Sequence, residues 1–430
     1  MTTIVRCARA LCGGTERSNF AFAIQGERIA AVDDADRLVQ RYPRAHHRLH
    51  DGDCAVIPGF VNGHSHAYQV LLRGWADDLP FERWRGDALY KVVPQLSPDD
   101  VYDAFRFAFD EMLAAGITTA AEFFYLNGSG NSRAEAAIAA ARDARIRLIF
   151  ARTWMDAAGS PAAFRETIDE ARRRTEMLMN AYPDTKICVA PHSLHAASPD
   201  MVRAAADFAR SAGCDMHIHV AEAQYEGEQT LERFGATPVQ LLQGLDALNE
   251  RTVAVHAIYV SDEEKRMLAS AGARVVHNPV TNQYLGDGIC DVLALERLGV
   301  PIALGTDADV KPSILDEMRA AVYLQKIAAR DGSALGAATA FALGTVQGAA
   351  AVGIDAGDFS EGSFADYCVV DTASIEPWVP LRNALVYRAE TSWIRETYVS
   401  GERVRSRENT PEVPERLRAL LPHLRLGGFQ

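Results

Sequence analysis

From about residue 55 onward, short apolar runs rich in β-branched residues alternate with longer segments of helical periodicity. The strand-like runs lie at residues 55–60, 118–123, 147–152, 186–191, 214–220, 252–256, 274–277 and 302–306. Strands that alternate with helices form parallel sheets, and eight of them close a (β/α)₈ barrel. On strand count alone an open doubly wound sheet is also possible, but no GxGxxG motif follows the first strand to support a dinucleotide site. We therefore predict an α/β fold with a TIM barrel over residues 55–359.

The helical segments between these runs carry recognisable start and stop signals. "SPDDVYDAFRFAFDEMLAAG" begins at Ser97, "SPDMVRAAADFARSAG" at Ser198 and "SDEEKRMLASAG" at Ser261. A serine at the N-cap and a glycine after the last turn are typical helix boundaries. These segments are therefore predicted to be the helices that connect the barrel strands.

The two ends of the chain have a different pattern. Residues 1–54 contain "FAFAIQGERIAAVDD" and residues 360–405 contain "GSFADYCVVD" and "IRETYVSGERVRS", which are short alternating runs around turns. Neither end is long enough to bury a β core by itself. We predict that both ends together form one small β-sandwich domain beside the barrel, and that residues 406–430 form a tail with a terminal helix.

Composition narrows the possible partners and locations. The formal net charge of -13 leaves no basic excess to neutralise phosphates, so a nucleic-acid partner is not expected. The seven cysteines form no CxxC pair, which indicates reduced thiols rather than a disulfide framework. The N-terminal "MTTIVRCARALCGG" lacks the apolar core of a signal peptide, and no run approaches the about eighteen apolar residues of a membrane helix. A cytoplasmic enzyme is the expectation.

Ionisable side chains follow several of the predicted strands. These residues are His64, His66, His192, His195, His217, His219, Glu222, His256, Asp307 and Asp309. In a barrel the carboxyl ends of the strands converge on one face, where active sites are built. The sequence therefore predicts that these side chains surround one site.

The stretch "PGFVNGHSHAYQ" contains an H-x-H pair, His64 and His66. On an extended segment both imidazoles of such a pair point the same way, and with a carboxylate they suit a zinc-like ion. A turn whose histidines bind only backbone atoms is the alternative. The second pair in "HIHVAE", together with His256 and Asp307 at other strand ends, favours the metal site.

The order of "PGFVNGHSHAYQ", "HIHVAEAQ", "VAVHA" and "LGTDAD" resembles the amidohydrolase superfamily, in its branch of hydrolytic deaminases and chlorohydrolases. The resemblance covers nearly the whole chain. It implies that His64, His66, His219 and Asp307 bind a divalent metal, zinc or alternatively iron, and that His217 is a strand residue. No lysine stands at the end of the fourth strand, so a single ion is expected.

The resemblance also implies a mechanism for a deaminase or iminohydrolase. A metal lowers the pKa of a water molecule that it binds, which makes hydroxide available near neutral pH. His256 and Asp307 would accept the water proton, and Glu222 would protonate the nitrogen of a C=N group as its carbon is attacked. Ammonia then leaves. The expected catalytic residues are thus Glu222, His256 and Asp307.

Within this branch the chain is similar to the formimidoylglutamate deiminases in "GHSHAYQ", "AEFFY" and "GDGICDVLALERLGVPIALGTDADVKPSILDEMR". The similarity implies that Gln69, Tyr125, His192 and the residue at position 195 line the substrate pocket. In "PHSLHAAS" His195 stands where that family has an arginine that binds a substrate carboxylate, and histidine cannot make the bidentate contact of arginine. The arginines that could compensate are Arg73, Arg83, Arg85 and Arg152.

This departure leaves several substrates open. One is another N-formimino or amidine compound, and a second is an aminated heterocycle such as a pterin, purine or pyrimidine, with Trp75 and Trp84 available for stacking. A chlorohydrolase or amidase of the same fold is a third possibility, and a non-catalytic binding barrel a fourth. The resemblance implies a small-molecule substrate and a homodimer.

Overall fold

The computed structural model describes residues 1–426 except residues 76 and 129. Its strands in chain order are β1 (Thr2–Cys12), β2 (Thr15–Gln25), β3 (Arg28–Asp33), β4 (His46–His50), β5 (Cys54–Pro58), β6 (Phe60–Ser65), β7 (Ile117–Phe124), β8 (Arg147–Trp154), β9 (Lys186–Pro191), β10 (Met216–Val220), β11 (Thr252–His256), β12 (Arg274–His277), β13 (Ile302–Leu304), β14 (Tyr367–Asp371), β15 (Ile394–Val399) and β16 (Glu402–Ser406).

The helices fill the connections between these strands. They are α1 (Ala35–Arg41), α2 (Phe81–Trp84), α3 (Tyr90–Val92), α4 (Pro98–Ala114), α5 (Ser132–Ala144), α6 (Ile168–Ala181), α7 (Pro199–Ala212), α8 (Gln224–Phe234), α9 (Pro238–Gly244), α10 (Asp262–Ser270), α11 (Pro279–Leu285), α12 (Val292–Arg297), α13 (Ile314–Ala329), α14 (Ala337–Leu343), α15 (Val346–Ala351), α16 (Leu381–Tyr387) and α17 (Glu415–Leu426). Ser97, Ser198 and Ser261 cap α4, α7 and α10 as predicted. None of the described helices combines the length and apolarity needed to cross a membrane.

Within the described chain, β6 to β13 form one eight-stranded parallel sheet in sequence order. The first and last strands meet at a parallel bridge between Ser65 and Asp307. There the His66 N–H donates to the Asp307 carbonyl at 2.8 Å, and the Asp307 N–H donates to the His64 carbonyl at 3.0 Å. The predicted (β/α)₈ barrel is therefore confirmed, and its closure lies beside the two histidines of the GHSH stretch.

The strand predicted at residues 55–60 is two strands in the structure. Residues of β5 pair with β14 in the second sheet, and the barrel strand β6 begins only at Phe60. The break falls at Gly59, where a Cβ atom would lie 2.2 Å from the Thr118 hydroxyl. A continuous apolar run predicts burial but does not show which of two sheets each residue joins. The sequence pattern therefore predicts one strand where the structure has β5 and β6.

The barrel seam also depends on one buried amide side chain. The Asn62 Nδ2 donates to the Thr306 hydroxyl at 2.7 Å, and the Thr306 N–H donates to the Asn62 Oδ1 at 3.0 Å. Replacing Asn62 with alanine is expected to lower the free energy of unfolding by about 1–3 kcal/mol, because buried groups of Thr306 lose their partners. Urea denaturation measures the change, with the exposed Asn409→Ala as control; equal stability of the two variants would contradict the role of Asn62.

The two ends of the chain share a second, mixed sheet of order β16-β15-β14-β5-β1-β2-β3, with β4 paired to β1. Phe22 on β2 contacts Tyr367 on β14, with 5.5 Å between ring centres. β5 and β1 lie between these two strands, and neighbouring strands of a flat sheet are about 4.8 Å apart, so a flat sheet would hold the two rings much further from each other. The sheet therefore curls around its own core. The predicted small β unit from both ends is confirmed. The domain limits at residues 54, 359 and 405 stay predictions, and residues 427–430 of the predicted tail lie outside the described residues.

Candidate metal centre and active site

Four side chains from three parts of the barrel meet at the carboxyl ends of the strands. They are His64, His66, His219 and Asp307, each of which offers one ligand atom within 4.8 Å of the others. The Asp307 Oδ1 lies 3.4 Å from the His64 Nε2 and 3.5 Å from the His66 Nε2. The His219 Nε2 lies 3.3 Å from the His64 Nε2. The structure thus brings together the four residues predicted as metal ligands.

Backbone carbonyls orient two of these imidazoles. The Phe123 carbonyl lies 2.9 Å from the His66 Nδ1, and the His192 carbonyl lies 2.8 Å from the His219 Nδ1. A carbonyl only accepts, so each Nδ1 carries the proton and each Nε2 keeps its lone pair for the cluster. Burial lowers the pKa of His66 to about 3 and that of His219 well below its ordinary value. Neutral imidazoles beside a carboxylate are a donor set that fits a zinc-like ion.

The loop that carries the H-x-H pair is held by a buried carboxylate. The Glu122 Oε2 on β7 accepts from the Ser65 hydroxyl at 3.0 Å and from the Ala67 N–H at 2.9 Å. Ser65 lies between the two histidines, so Glu122 fixes the segment from both sides. This contact explains why β6 can end with two imidazoles aimed at the same point.

A second group of side chains shares Asp307. The His256 Nε2 lies 3.5 Å from the Asp307 Oδ2 and 3.5 Å from the Glu222 Oε1, and the His256 Nδ1 lies 3.1 Å from the Asn282 Oδ1. Burial lowers the pKa of His256 to about 4. Burial, followed by the neighbouring carboxylates, raises the pKa of Glu222 well above its ordinary value. The three predicted catalytic residues therefore meet, and burial favours the protonated form of the Glu222 carboxyl group.

Two of these residues have strained backbones. His256 at the end of β11 has a φ of 74°, and Asp307 after β13 has a φ of 50°. Residues other than glycine rarely adopt this left-handed region, at a cost of about 1–3 kcal/mol each, and such strain is concentrated at functional sites. Both strained residues belong to the group of side chains that meet at Asp307.

Three of the four clustered residues, His66, His219 and Asp307, line a cavity with about 590 Å³ of space, including its open mouth. Its walls carry five aromatic side chains, Phe81, Trp84, Tyr90, Tyr125 and Phe164. Three of the predicted substrate-binding residues, Gln69, Tyr125 and His192, line it, and the Gln69 Nε2 donates to the Tyr125 hydroxyl at 3.0 Å. Of the two tryptophans considered for stacking, Trp84 is in the wall.

His195, the fourth predicted substrate-binding residue, also lines the cavity, but it faces an acidic side chain. The His195 Nδ1 lies 3.5 Å from the Glu226 Oε1, and Glu226 is 6% exposed. Burial raises the pKa of Glu226 to about 7. This position therefore presents a histidine and a buried carboxyl group rather than a cation for a substrate carboxylate.

Three of the four arginines considered as substitutes have carboxylate partners, in the pairs Arg73–Glu111, Arg83–Asp87 and Arg152–Glu166. Arg85 lines the cavity, and in the described part of the chain its guanidinium forms no hydrogen bond or ion pair with a carboxylate. Its Cζ lies 5.4 Å from the ring centre of Phe81 and 5.6 Å from that of Tyr90. Arg85 begins a π-helical turn, Arg85–Leu89, a feature common at functional sites.

Two residues near the cluster in sequence lie outside it. His217 is buried on β10, two residues before His219, and is not part of the four-residue group. Lys186 at the start of β9 pairs with Asp215 at 2.8 Å and donates to the Val352 carbonyl at 2.7 Å. It is therefore held at the amino end of its strand, as its place in the sequence indicated.

Comparison with known proteins identifies the family. The profile of the amidohydrolase family matches residues 55–404. The chain belongs to the amidohydrolase family. It is 34% identical over 414 residues to the 5-methylthioadenosine/S-adenosylhomocysteine deaminase of Syntrophobacter fumaroxidans, covering 93% of this chain and 92% of that one. It is 31% identical over 366 residues to the 5'-deoxyadenosine deaminase of Methanothermobacter thermautotrophicus, covering 84% of each.

Solved structures agree with the fold of this amidohydrolase. An adenosine deaminase from Xanthomonas campestris with bound zinc has a TM-score of 0.90 at 26% identity, covering 99% of this chain and 98% of that one. An atrazine chlorohydrolase from Arthrobacter aurescens, complexed with zinc, has a TM-score of 0.88 at 21% identity, covering 98% and 99%. The predicted superfamily is thus confirmed. Three of the four proteins named here are adenosine-type deaminases and the fourth is a chlorohydrolase, so the likeness to formimidoylglutamate deiminases stays a prediction.

Sequence reasoning about this amidohydrolase missed three polar residues around the site. Asn282 contacts His256, Glu226 contacts His195, and Asp287 is buried close enough to raise the pKa of Glu222. Glu222 precedes α8 and Glu226 lies in the first turn of that helix, so a second carboxylate soon after the predicted acid was the available signal. Asn282 and Asp287 fall in "TNQYLGDG", whose polar residues follow β12 as the other candidates follow their strands.

Proposed function

We propose that this amidohydrolase is a metal-dependent hydrolytic deaminase that replaces the amino group of an amidine carbon, N=C–NH₂, with oxygen and releases ammonia. The observation that carries the proposal is the buried Glu222 carboxyl group 3.5 Å from His256, beside the His/His/His/Asp cluster. Attack on a C=N carbon requires a proton for the nitrogen, and a carboxyl group with a raised pKa can supply it.

We assign His64, His66, His219 and Asp307 as ligands of one divalent ion, zinc, with iron as the alternative. Such an ion lowers the pKa of a bound water molecule to about 7 and so supplies the nucleophile. Support comes from the three neutral imidazoles and the single carboxylate at this point, and from the zinc-containing relative. Elemental analysis of the purified protein tests both the metal and its stoichiometry.

The side chains of this chain then account for the proton transfers. The Asp307 Oδ2 and the His256 Nε2 lie 3.5 Å apart, and this pair can accept the proton that the attacking water loses. Glu222 gives its proton to the ring or imino nitrogen as the C–O bond forms. The amino nitrogen takes a proton from the Asp307–His256 pair, the C–N bond breaks, and ammonia leaves while Glu222 recovers its proton from the new hydroxyl group. The product carries a C=O group where the substrate had C–NH₂.

For the substrate we propose an aminated purine-type ring. The aromatic walls of the cavity suit a flat ring, because aromatic side chains stack on such faces. Two relatives are named for deamination of adenosine derivatives, in which the reacting carbon is an amidine carbon of the adenine ring.

A second candidate is an N-formimino amino acid, whose N–CH=NH group is also an amidine. The observation that favours it is Arg85, whose guanidinium lines the cavity between Phe81 and Tyr90. An arginine that forms no ion pair with a carboxylate of the protein is suited to bind a carboxylate of the substrate. The chlorohydrolase alternative has support from fold alone, and the homodimeric state and cytoplasmic location stay predictions.

A coupled assay for ammonia on metal-loaded enzyme tests the proposed function. The panel contains 5'-deoxyadenosine, 5'-methylthioadenosine, adenine, pterin and N-formimino-L-glutamate, with atrazine as a dechlorination probe. We expect ammonia from the nucleosides, and from the formimino compound only if the second candidate is correct. Chloride release from atrazine without ammonia from any other compound would refute the deaminase.

The Arg85→Gln variant separates the two candidates. Loss of a charged hydrogen bond to a carboxylate costs about 1.5–3 kcal/mol, so KM for N-formimino-L-glutamate is expected to rise about 10–100-fold. For 5'-deoxyadenosine, which has no carboxylate, the same variant is expected to change KM much less. Steady-state kinetics on both compounds, with the exposed Arg83→Gln as control, measures this contrast; equal effects on both would contradict the carboxylate role.

A further inference from the structure

One segment of the chain supplies several side chains around the cavity but has little regular structure of its own. α2 (Phe81–Trp84), the π-helical turn Arg85–Leu89 and α3 follow one another without forming a long helix. Helices this short are not stable alone, so contacts with the barrel hold the segment in place. Its second half is held by packing, since Leu89 is buried and the ring centre of Tyr90 lies 5.8 Å from that of Phe164. The cavity-lining residues of the segment are Phe81, Trp84, Arg85, Leu89 and Tyr90.

Residues 77–83, which we call the strap, have much less support. Among the described residues, one hydrogen bond joins the strap to an element outside its own segment: the Tyr284 hydroxyl on α11 donates to the Asp77 Oδ1 at 2.8 Å. α11 is itself anchored, since the Val280 N–H donates to the buried Glu317 carboxyl group at 3.0 Å. The exposed residues of the strap are Asp77, Asp78, Pro80, Glu82 and Arg83.

The Asp77–Tyr284 contact also borders a smaller space next to the cavity. Asp77 and Tyr284 both line this space, which has about 420 Å³ including its open side. It shares Gln69, Trp84 and Ala308 with the substrate cavity. The hydrogen bond therefore lies at an opening beside the cavity, between the strap and α11.

We propose that Tyr284 and Asp77 are positioning residues of this enzyme, whose hydrogen bond holds the strap against α11 and so keeps the aromatic wall in place around the substrate. The rings of Phe81 and Trp84 stack with 6.2 Å between their centres, so movement of the strap disturbs both. Loss of the hydrogen bond weakens substrate binding and leaves the chemical step at the cluster unchanged. The inference rests on the proposed deaminase function for the substrate that this wall contacts.

Tyr284→Phe removes the hydroxyl group and keeps the ring. With 5'-deoxyadenosine and the metal-loaded full chain, KM is expected to rise about 3–10-fold, the usual effect of one lost hydrogen bond, while kcat changes less than about twofold. Tyr102→Phe is the matched control, because the Tyr102 hydroxyl on α4 donates to the Asp143 Oδ2, also at 2.8 Å, and neither residue lines the cavity. The control should keep both KM and kcat.

Changes at Asp77 show whether the two side chains act through each other. Asp77→Ala should raise KM as much as Tyr284→Phe does, and the double variant should raise it no further, because either change removes the same hydrogen bond. Asp77→Asn keeps an acceptor oxygen for the Tyr284 hydroxyl and should behave like the unmodified enzyme. Additive effects, or equal losses in Asp77→Asn and Asp77→Ala, would contradict the proposed contact.

Hydrogen–deuterium exchange tests the strap without any substrate. The N–H groups of Arg83 and Trp84 both donate to the Pro80 carbonyl, at 2.9 and 3.0 Å, so their exchange reports opening of the strap. Mass spectrometry should show about 3–10-fold faster exchange of these groups in Tyr284→Phe and no change in Tyr102→Phe. Unchanged exchange, or faster exchange without a rise in KM, overturns the positioning role. Faster exchange in an enzyme that releases no ammonia from any compound overturns the proposed deaminase function alone.

Discussion

Replacing Glu222 with glutamine is expected to lower kcat for ammonia release by about 10²–10⁴-fold, which is the usual contribution of a general acid or base. Glutamine keeps the size and the hydrogen-bonding ability of the side chain 3.5 Å from His256, but it cannot transfer a proton to the substrate nitrogen. The metal content should be unchanged, because Glu222 is not one of the four clustered residues. Steady-state ammonia release and elemental analysis of the same preparation measure both quantities.

The role of Glu222 as an acid also predicts how the activity of the enzyme changes with pH. Burial raises the pKa of Glu222, so the proton needed for catalysis is kept to higher pH than by an ordinary glutamate and is lost as pH rises through the raised pKa. The activity of the unmodified enzyme should fall along that basic limb, and the residual activity of Glu222→Gln should lack it. Glu228→Gln, an exposed change on the following helix, should keep both rate and limb. Full activity in the Glu222→Gln variant would contradict the role of Glu222 as the general acid.

The position of the site could be predicted from the sequence because strand direction and side-chain alternation are local properties. The pair His64 and His66 shares one face of an extended segment, and the barrel brings the ends of its strands to one rim. Asp307 follows the last strand, so barrel closure alone places it against His64. Four residues distant in sequence could therefore be grouped without coordinates.

The substrate-binding side of the cavity could not be predicted in the same way. The sequence does not distinguish the surroundings of Arg152 from those of Arg85. In the structure Arg152 makes a buried bidentate pair with Glu166, whereas Arg85 lines the cavity. Likewise His195 could not be seen to face Glu226, because α8 and the loop after β9 meet only in three dimensions. Which charges find partners depends on loop and helix packing, and periodicity carries no information about it.

The second large effect is expected from the two histidines of the "HIHVAE" stretch, which allow a matched test of the metal site. Replacing His219 with alanine is expected to remove the metal and to lower kcat by at least about 10³-fold, because the ion contributes several kcal/mol to the barrier reduction. His217→Ala removes the same atoms from the same strand, and both side chains are buried. It should lower stability by a similar amount and yet keep the metal.

The contrast between these two variants separates ligation from packing. A buried histidine truncated to alanine leaves a cavity in either case, so loss of stability common to both variants reports only on packing. Metal content and ammonia release that fall in His219→Ala and persist in His217→Ala can come only from the position of the imidazole, because the His219 Nε2 lies 3.3 Å from that of His64 whereas His217 is outside the cluster. If His217→Ala lost the metal and His219→Ala kept it, the ligand assignment on β10 would be wrong, and the four-residue centre with it.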